Sequence, residues 1–452
     1  MTNKPVISEN SKSLSPASEK DGGVPARQLA LAVIERVLKH KQTIDEAFIK
    51  FPPTEDMASR DRAFARILVI TVLQRLGQLD LIIEPMLDRP IGRLRPTAIL
   101  DVLRLGTAQL LFLETASHAA VNTSVLLAEA EGMARQKGLV NAVMRRIGRE
   151  GIALLNKQDQ TRINVPDWLW KSWVEDYGEE VAHQIAEANL SLPSLDVTVK
   201  LDPMVWAEKL NAKLLANGSL RLAEGGNVPE LPGFDDGVWW VQNAVSSLPA
   251  TLFGEIRGKE IVDMCAAPGG KTAQLASQGA RVVALDRSAK RLVRLHENME
   301  RLNFSVDTHV VDGAAWSPKE GHLVDGILLD APCSATGTIR HQPDVSHLKS
   351  PQDVTKLVAV QRRLLENASQ YVKPGGYLIY CTCSLQKAEG EDQIDWFMDK
   401  FQGQFEQTVI LPSEVGGWDM LLNEHGQVRA LPFHLAAQGG FDGFFIARLI
   451  RI

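Results

Sequence analysis

Short apolar runs alternate with amphipathic segments throughout the second half of the chain, and this alternation constrains the fold most strongly. The runs have few polar residues, and they cover 260–264, 281–286, 308–312, 324–330 and 376–381. Strands that are buried on both faces of a parallel sheet have this composition. Strands that alternate with helices predict a doubly wound α/β sheet, which binds its ligands at the carboxyl ends of its strands.

Residues 23–155 show a helical pattern instead. Leu29, Val33 and Val37 recur every four residues, and similar stretches follow at 61–75, 96–115, 119–135 and 138–148. We therefore predict an all-helical domain. It follows a polar tail, residues 1–22, which we expect to be disordered.

The segment 160–240 has mixed character. Trp168, Trp170 and Trp173 lie on one amphipathic stretch, where packing is a more natural role than stacking on bases. Residues 195–201 alternate as a strand does, and a helix is predicted near 203–216. We expect a small α+β module over 160–240 and the sheet domain over 241–452.

Bulk composition excludes several classes of protein. A chain of 452 residues needs more than one hydrophobic core. Apolar stretches are too short to span a membrane, and the polar N-terminus does not read as a secretory signal, so a cytoplasmic protein that binds no membrane is expected. The four cysteines lack the spacing of a zinc site; free thiols and no metal are therefore expected.

A glycine-containing loop follows the first strand, where small residues let a ligand approach the backbone and a helix N-terminus. Asp286, Asp312 and Asp330 end the next three strands, and an acidic residue at a strand end can bind ribose hydroxyls. This pattern suits a nucleoside with a ribose and a cationic tail, such as S-adenosylmethionine. The loop comprises Cys265, Ala266, Ala267, Pro268, Gly269, Gly270 and Lys271.

Two cysteines follow neighbouring strands: Cys333 comes after the fourth and Cys383 after the fifth. Adjacent strand ends would bring both thiols to one cleft, whereas Cys265 and Cys381 fit a packing role. A thiolate that adds to carbon 6 of cytosine makes carbon 5 nucleophilic, and Asp330 is placed to stabilise the ring nitrogen of that adduct. Chemistry alone leaves open which of the two thiols attacks.

Several longer motifs carry a resemblance to a known family. They are DMCAAPGGKT (263–272), LDAPCSATG (329–337), RHQPD (340–344), TCS (382–384) and GFF (443–445). This part of the chain resembles the Sun/RsmB-type ribosomal RNA cytosine-5 methyltransferases of the NOP2/Sun group. The run KGLVNAV (137–143) in the helical part resembles the NusB-type RNA-binding domain that such enzymes carry.

The resemblance implies a NusB-like domain, a small α+β module and a Rossmann-like methyltransferase domain. It implies that Cys383 is the nucleophile, that Cys333 assists product release, and that residues 265–271 with Asp286, Asp312 and Asp330 contact S-adenosylmethionine. The expected partner is RNA, most simply 16S-type ribosomal RNA, and the expected state is a monomer.

Two alternatives stay open at this point. One is a non-catalytic RNA-binding factor whose sheet has lost its activity; the retention of both thiols and of the strand-end aspartates argues against it. The other is an enzyme that acts on transfer RNA. A basic set on the last predicted helices would serve either as a solvated helix face or as a phosphate-binding patch; it comprises Arg135, Lys137, Arg145, Arg146 and Arg149.

Overall fold

The computed structural model describes residues 23–51, 57–222, 227–319 and 321–452. The chain divides into two compact units, of which the first ends at Asn164 and the second runs from Val165 to Ile452. The tail predicted over residues 1–22 lies outside the described residues. No helix in the described ranges is long and apolar enough to cross a membrane.

The first unit is helical over its described residues, as predicted. Its helices are α1 (Val24–His40), α2 (Ile44–Lys50), α3 (Ser59–Gln74), α4 (Leu76–Ile83), α5 (Ala98–Leu111), α6 (Ser117–Ala130) and α7 (Lys137–Leu155). Leu29, Val33 and Val37 are buried on one side of α1, as their spacing requires. The sequence pattern missed α2 and α4, which are only seven and eight residues long.

The second unit opens with α8 (Asp167–Tyr177) and α9 (Glu179–Ala188) and a small antiparallel sheet. Trp173 is buried in α8, and its two neighbouring tryptophans pack against the same cluster, which agrees with a packing role. The sheet has the order β2-β3-β1-β4. Its strands are β1 (Leu195–Val199), β2 (Ala212–Leu214), β3 (Leu220–Leu222) and β4 (Trp239–Val241).

The helix predicted near 203–216 is shorter in the structure. Helix α10 (Pro203–Lys209) ends early because Asn211 takes a left-handed conformation, with φ 47°. The residues that follow form β2, which pairs with β3. Tertiary pairing therefore overrides the helical pattern of residues 212–214.

A large sheet in the order β10-β12-β9-β8-β5-β6-β7 organises the rest of the unit, with β11 paired to β12. The pairs among β5, β6, β7, β8 and β9 are parallel, and those of β12 are antiparallel. The strands are β5 (Glu260–Asp263), β6 (Arg281–Asp286), β7 (Asp307–Val310), β8 (Val324–Asp330), β9 (Val372–Thr382), β10 (Phe405–Thr408), β11 (Val428–Ala430) and β12 (Phe444–Arg451). The doubly wound sheet is thus confirmed.

Both faces of this sheet are buried. Along β8, Leu328 belongs to one apolar cluster, whereas Ile327 and Leu329 belong to another, as the two-residue period of a strand requires. The connecting helices are α11 (Leu248–Thr251), α12 (Gly270–Ser277), α13 (Ala289–Arg301), α14 (Val345–Leu348), α15 (Pro351–Tyr371) and α16 (Glu391–Lys400). Ser288 caps α13 by accepting a hydrogen bond from the Arg291 amide, 3.3 Å away.

Candidate active site

The strand order changes direction between β5 and β8, which are neighbours in the sheet although three strands apart in sequence. Parallel sheets leave a crevice at such a point, outside the carboxyl ends of the strands. The glycine-containing loop follows β5, and the first cysteine-bearing loop follows β8. The register pairs Asp330 at the end of β8 with Cys381 near the end of β9. Hence the loops that follow these strands leave the sheet at one edge.

The glycine-containing loop ends at the N-terminus of α12. Gly269, with φ 104°, precedes the helix, and a Cβ added there would lie 3.1 Å from Leu295 in α13. No side chain in the described part of the chain caps α12, so the first N–H groups of this helix remain available to a ligand. Gly270 opens the helix, and the closest atom to an added Cβ would be 4.0 Å away. This combination of open backbone and free donors suits an approaching nucleoside.

Asp286 at the end of β6 is buried yet incompletely satisfied. Its Oδ1 accepts from the Ser288 amide at 2.8 Å. Among the residues that the structure describes, Oδ2 has no hydrogen-bond partner, and it lies 3.2 Å from a guanidinium nitrogen of Arg291. A buried carboxylate oxygen without a donor is a natural acceptor for a hydroxyl group. The residues of this crevice therefore fit a ribose-bearing cofactor.

Asp312 lies two residues beyond the end of β7, not at its last position. Its carboxylate accepts a hydrogen bond from the Ala314 amide at 3.0 Å, and the residue is exposed. The predicted strand was extended to Asp312 because an acidic residue at a short 3-10 turn looks like a strand end in the sequence. The second carboxylate oxygen of Asp312 remains accessible at the same edge of the sheet.

Lys271 and Asp330 form an ion pair that the sequence pattern did not predict. Their Nζ and Oδ2 atoms are 2.7 Å apart, and the Lys271 side chain is only 12% exposed. Burial lowers the pKa of Lys271, but the facing Asp330 carboxylate outweighs it and raises this pKa overall. The pair therefore consists of an ammonium donor and a carboxylate acceptor. Its only sequence signal is the position of both residues after neighbouring strands.

Cys333 and Cys383 meet in the structure, as adjacent strand ends predicted. Their sulfur atoms are 3.4 Å apart, within hydrogen-bonding distance, and both residues are partly exposed. The Gly337 amide donates to the Cys383 carbonyl oxygen at 2.9 Å, which joins the two loops by their backbones. The two thiols therefore lie side by side at the carboxyl end of the sheet.

The surroundings of the thiol pair affect the protonation of Cys333. The hydrogen bond with Cys383, together with burial and nearby negative charge, raises the pKa of Cys333 well above its ordinary value. Either sulfur can be the donor in this hydrogen bond, and a thiol that donates to a neighbouring sulfur stabilises a thiolate there. The two side chains are therefore close enough for one thiol to stabilise the thiolate of the other.

The other two cysteines pack. Cys381 is fully buried in β9, and its thiol lies 3.6 Å from Asp330 Oδ1; burial is the main reason why its pKa is raised. Cys265 packs against the apolar cluster on one face of the sheet, and burial likewise raises its pKa. Thiols with raised pKa values and apolar neighbours are poor nucleophiles.

The fold and the strand-end crevice define a Rossmann-like methyltransferase. Comparison with known proteins gives the particular family: residues 251–450 match the family described as 16S rRNA methyltransferase RsmB/F, and residues 24–149 match the NusB family. The chain belongs to the RsmB/F family and carries a NusB-type N-terminal domain. Its cofactor is S-adenosylmethionine.

Relatives support this assignment, and solved structures share the fold. The chain is 33% identical to ribosomal RNA small subunit methyltransferase B of Erwinia tasmaniensis and 32% identical to that of Sodalis glossinidius, in both cases over 94% of this chain and 98% and 97% of the relative. The structure of PH0851 is similar in fold, with a TM-score of 0.73, 22% identity, and coverage of 96% of this chain and 100% of that one. A methyltransferase homologue from Pyrococcus horikoshii matches with a TM-score of 0.51 and 25% identity over 64% of this chain and 100% of its own.

Proposed function

We propose that this protein methylates carbon 5 of a cytosine in small-subunit ribosomal RNA, with Cys383 as the attacking thiol. The observation that carries this proposal is the pair of sulfurs 3.4 Å apart at the carboxyl ends of β8 and β9. The related proteins named above are small-subunit ribosomal RNA methyltransferases, which supports the choice of substrate.

The reaction begins at Cys383. Its thiolate adds to carbon 6 of the cytosine, the new S–C bond forms, and the electron pair of the 5,6 double bond moves into the ring and makes carbon 5 nucleophilic. Cys333, which holds its proton, donates a hydrogen bond to the Cys383 sulfur before the attack. That bond favours the thiolate without requiring a strong base beside it.

Asp330 and Lys271 act together on the polar edge of the base. Negative charge develops in the ring during addition, and a positioned donor stabilises it. The Lys271 ammonium holds the proton of the pair, and the Asp330 carboxylate orients it through the 2.7 Å ion pair. The sequence predicted that Asp330 stabilises the adduct. We assign this stabilisation to the Lys271–Asp330 pair as a unit.

S-adenosylmethionine, when bound, supplies an electrophilic methyl group. The residues that would hold it are those of the loop after β5, together with the strand-end carboxylates. Asp286 would bind ribose hydroxyls of the cofactor through its free oxygen, and Asp312 would bind the adenine of the cofactor. The loop residues are Cys265, Ala266, Ala267, Pro268, Gly269, Gly270 and Lys271.

Product release is the proposed task of Cys333. A base removes the proton from carbon 5, the electron pair restores the 5,6 double bond, and the S–C bond breaks so that Cys383 leaves as a thiolate. Cys333 gives its own proton to solvent after the methyl transfer and then, as a thiolate, accepts the proton from carbon 5. This thiolate is a strong base because the pKa of the thiol is raised.

Substitution of each thiol tests these roles. Cys383→Ser should abolish methyl transfer to small-subunit RNA, since no competent nucleophile remains. Cys333→Ser should form a covalent protein–RNA adduct that accumulates, because release is blocked. The adduct is measured by denaturing gel electrophoresis with labelled RNA. Turnover by Cys383→Ser, together with loss of the adduct in Cys333→Ser, would reverse the assignment.

A separate experiment tests the substrate. Bisulfite sequencing of ribosomal and transfer RNA from cells that lack the gene should show one cytosine in small-subunit RNA that has lost its methyl group. A loss confined to transfer RNA would establish the alternative substrate. Unchanged methylation in both would favour the non-catalytic RNA-binding factor.

A further inference from the structure

A buried carboxylate lies between the two cysteine-bearing loops. Glu389 lies in the short 3-10 turn that follows the Cys383 loop, and it is 0% exposed. Its neighbours in sequence, Lys387 and Gly390, suggest a solvated turn, so the sequence pattern gave no reason to select it. Buried glutamates are uncommon because the removal of a charge from water is costly.

Each cysteine is followed by a serine that bonds to this carboxylate. Ser334, next to Cys333, donates both its backbone N–H, at 3.0 Å from Oε1, and its hydroxyl. Ser384, next to Cys383, donates its hydroxyl to Oε2 at 2.6 Å. One side chain thereby joins the residues that directly follow both thiols.

Further bonds fix the position of Glu389 itself. The Gln361 amide of α15 donates to Glu389 Oε1 at 3.0 Å and to the Pro332 carbonyl oxygen at 3.0 Å. The backbone carbonyl of Glu389 accepts from the Tyr380 hydroxyl at 2.8 Å and from the Thr382 hydroxyl at 3.2 Å. Both hydroxyls belong to β9, so the carboxylate is held at a constant distance from the end of that strand.

The donors to the carboxylate are all neutral groups. A carboxylate is an acceptor only, so it can accept from an amide N–H, two hydroxyls and a side-chain amide at the same time. Its negative charge also contributes to the raised pKa of Cys333, after the larger effects of the bond to Cys383 and of burial. Glu389 therefore acts on both the geometry and the protonation of the thiol pair.

We propose that Glu389 is a positioning residue that holds Cys333 and Cys383 in register through Ser334 and Ser384. The inference rests on the proposed function of the same site, and it adds a residue that sets the spacing of the two sulfurs. Glu389 touches neither thiol directly, so it is not a catalytic residue.

The spacing of the sulfurs can be measured without any RNA. Phenylarsine oxide bridges two neighbouring thiols: two S–As bonds form, and the oxygen leaves as water with the two thiol protons. The wild-type protein should bind one arsenical through Cys333 and Cys383, and Cys333→Ser should lose this bridge. Mass spectrometry of the intact protein gives the rate.

Glu389→Gln should slow the bridging about tenfold, since an amide donor would face the donors of Ser334 and Gln361. The kcat for methylation should fall about tenfold as well, with KM for RNA and the Kd for S-adenosylmethionine within twofold of wild type. Glu389→Asp, which keeps the charge, should recover part of both rates.

Asp325→Asn is the matched control. This carboxylate lies at the opposite end of β8, where it pairs with Lys373, and its substitution should leave both rates unchanged.

Single-serine variants keep the test decisive if Glu389→Gln fails to fold. Ser334→Ala and Ser384→Ala each remove one hydroxyl, and each should slow bridging about threefold. Wild-type bridging in Glu389→Gln, or in both serine variants, would overturn the proposal even if kcat fell. If the wild-type protein methylates no RNA but these variants still slow the bridging, the proposed function is refuted and the positioning role of Glu389 stands.

Discussion

Cys333 and Cys383 have the same chemistry but different surroundings. Cys333 is held by a bond to its partner sulfur, by burial and by the charge of Glu389, and these together raise its pKa. The side chain that keeps its proton is suited to donate a hydrogen bond first and to act as a base later. The proposed division of roles between the thiols therefore depends on their neighbours, because the residue type is the same.

Asp263 is a buried carboxyl group whose titration affects stability. Burial raises its pKa to about 7, and the bond from the Thr272 hydroxyl, 2.6 Å away, only partly opposes this effect. The unfolded value is about 3.9. Between about pH 4 and pH 7 the folded state therefore holds a proton that the unfolded chain has already released. The stability that this proton contributes is present at low pH and is lost as pH rises through about 7.

Asp263→Asn cannot titrate, so the comparison isolates this group. From pH 5 to pH 8 the Tm of the wild-type protein should fall by about 3 °C or more relative to that of the variant. Calorimetry at matched ionic strength measures the difference. A Tm difference that stays constant over this range would contradict the assigned burial of an ionisable carboxylate.

The helices and strands that the sequence predicts best are those that a regular apolar pattern marks. The apolar runs predicted β5, β6, β8 and β9, and adjacency of β8 and β9 was enough to bring Cys333 and Cys383 together. Glu389 could not be predicted, because its donors come from three separate segments. The repeated Cys-Ser pair at 333–334 and 383–384 was the one available signal, and its meaning depends on tertiary contacts.

Gly337 tests how closely the loop after β8 approaches the backbone at Gly443, which precedes β12. A Cβ there would lie 2.0 Å from the Gly443 carbonyl oxygen, so Gly337→Ala must displace backbone. We expect a loss of about 2 kcal/mol or more in the free energy of unfolding, and lower methylation because the Gly337 amide bonds to Cys383. Denaturant titration checks the first effect.

Gly138→Ala is the control for that substitution. It lies in α7, where nothing is within 4 Å of an added Cβ, and a gain of about 0.4–1 kcal/mol is expected from the reduced freedom of the unfolded chain. Equal stability of the two alanine variants would mean that Gly337 is not in contact with the backbone of Gly443.

At the scale of the whole molecule, the helical unit is expected to supply RNA affinity, and the second unit the chemistry. Arg145 and Arg149 are exposed and lie four residues apart on one face of α7. Replacement of both by Gln should weaken RNA binding and reduce the slope of log K against log salt by about 1.4–1.8, if each contacts one phosphate. Filter binding at several salt concentrations measures this slope.

Arg66→Gln provides the comparison, because Arg66 is paired with Asp45 on the surface of the same unit. Its substitution should leave the slope unchanged. An equal effect of Arg66→Gln would show that binding follows net charge, and an unchanged slope in the double variant would exclude the α7 face.

RNA that contains 5-fluorocytosine identifies the cysteine that attacks the base. Fluorine at carbon 5 cannot leave as a proton would, so the adduct persists on the cysteine that attacked. Proteolysis and mass spectrometry then identify the modified peptide. We expect the nucleotide on Cys383 in the wild-type protein; a nucleotide on Cys333 would mean that Cys333 is the attacking thiol.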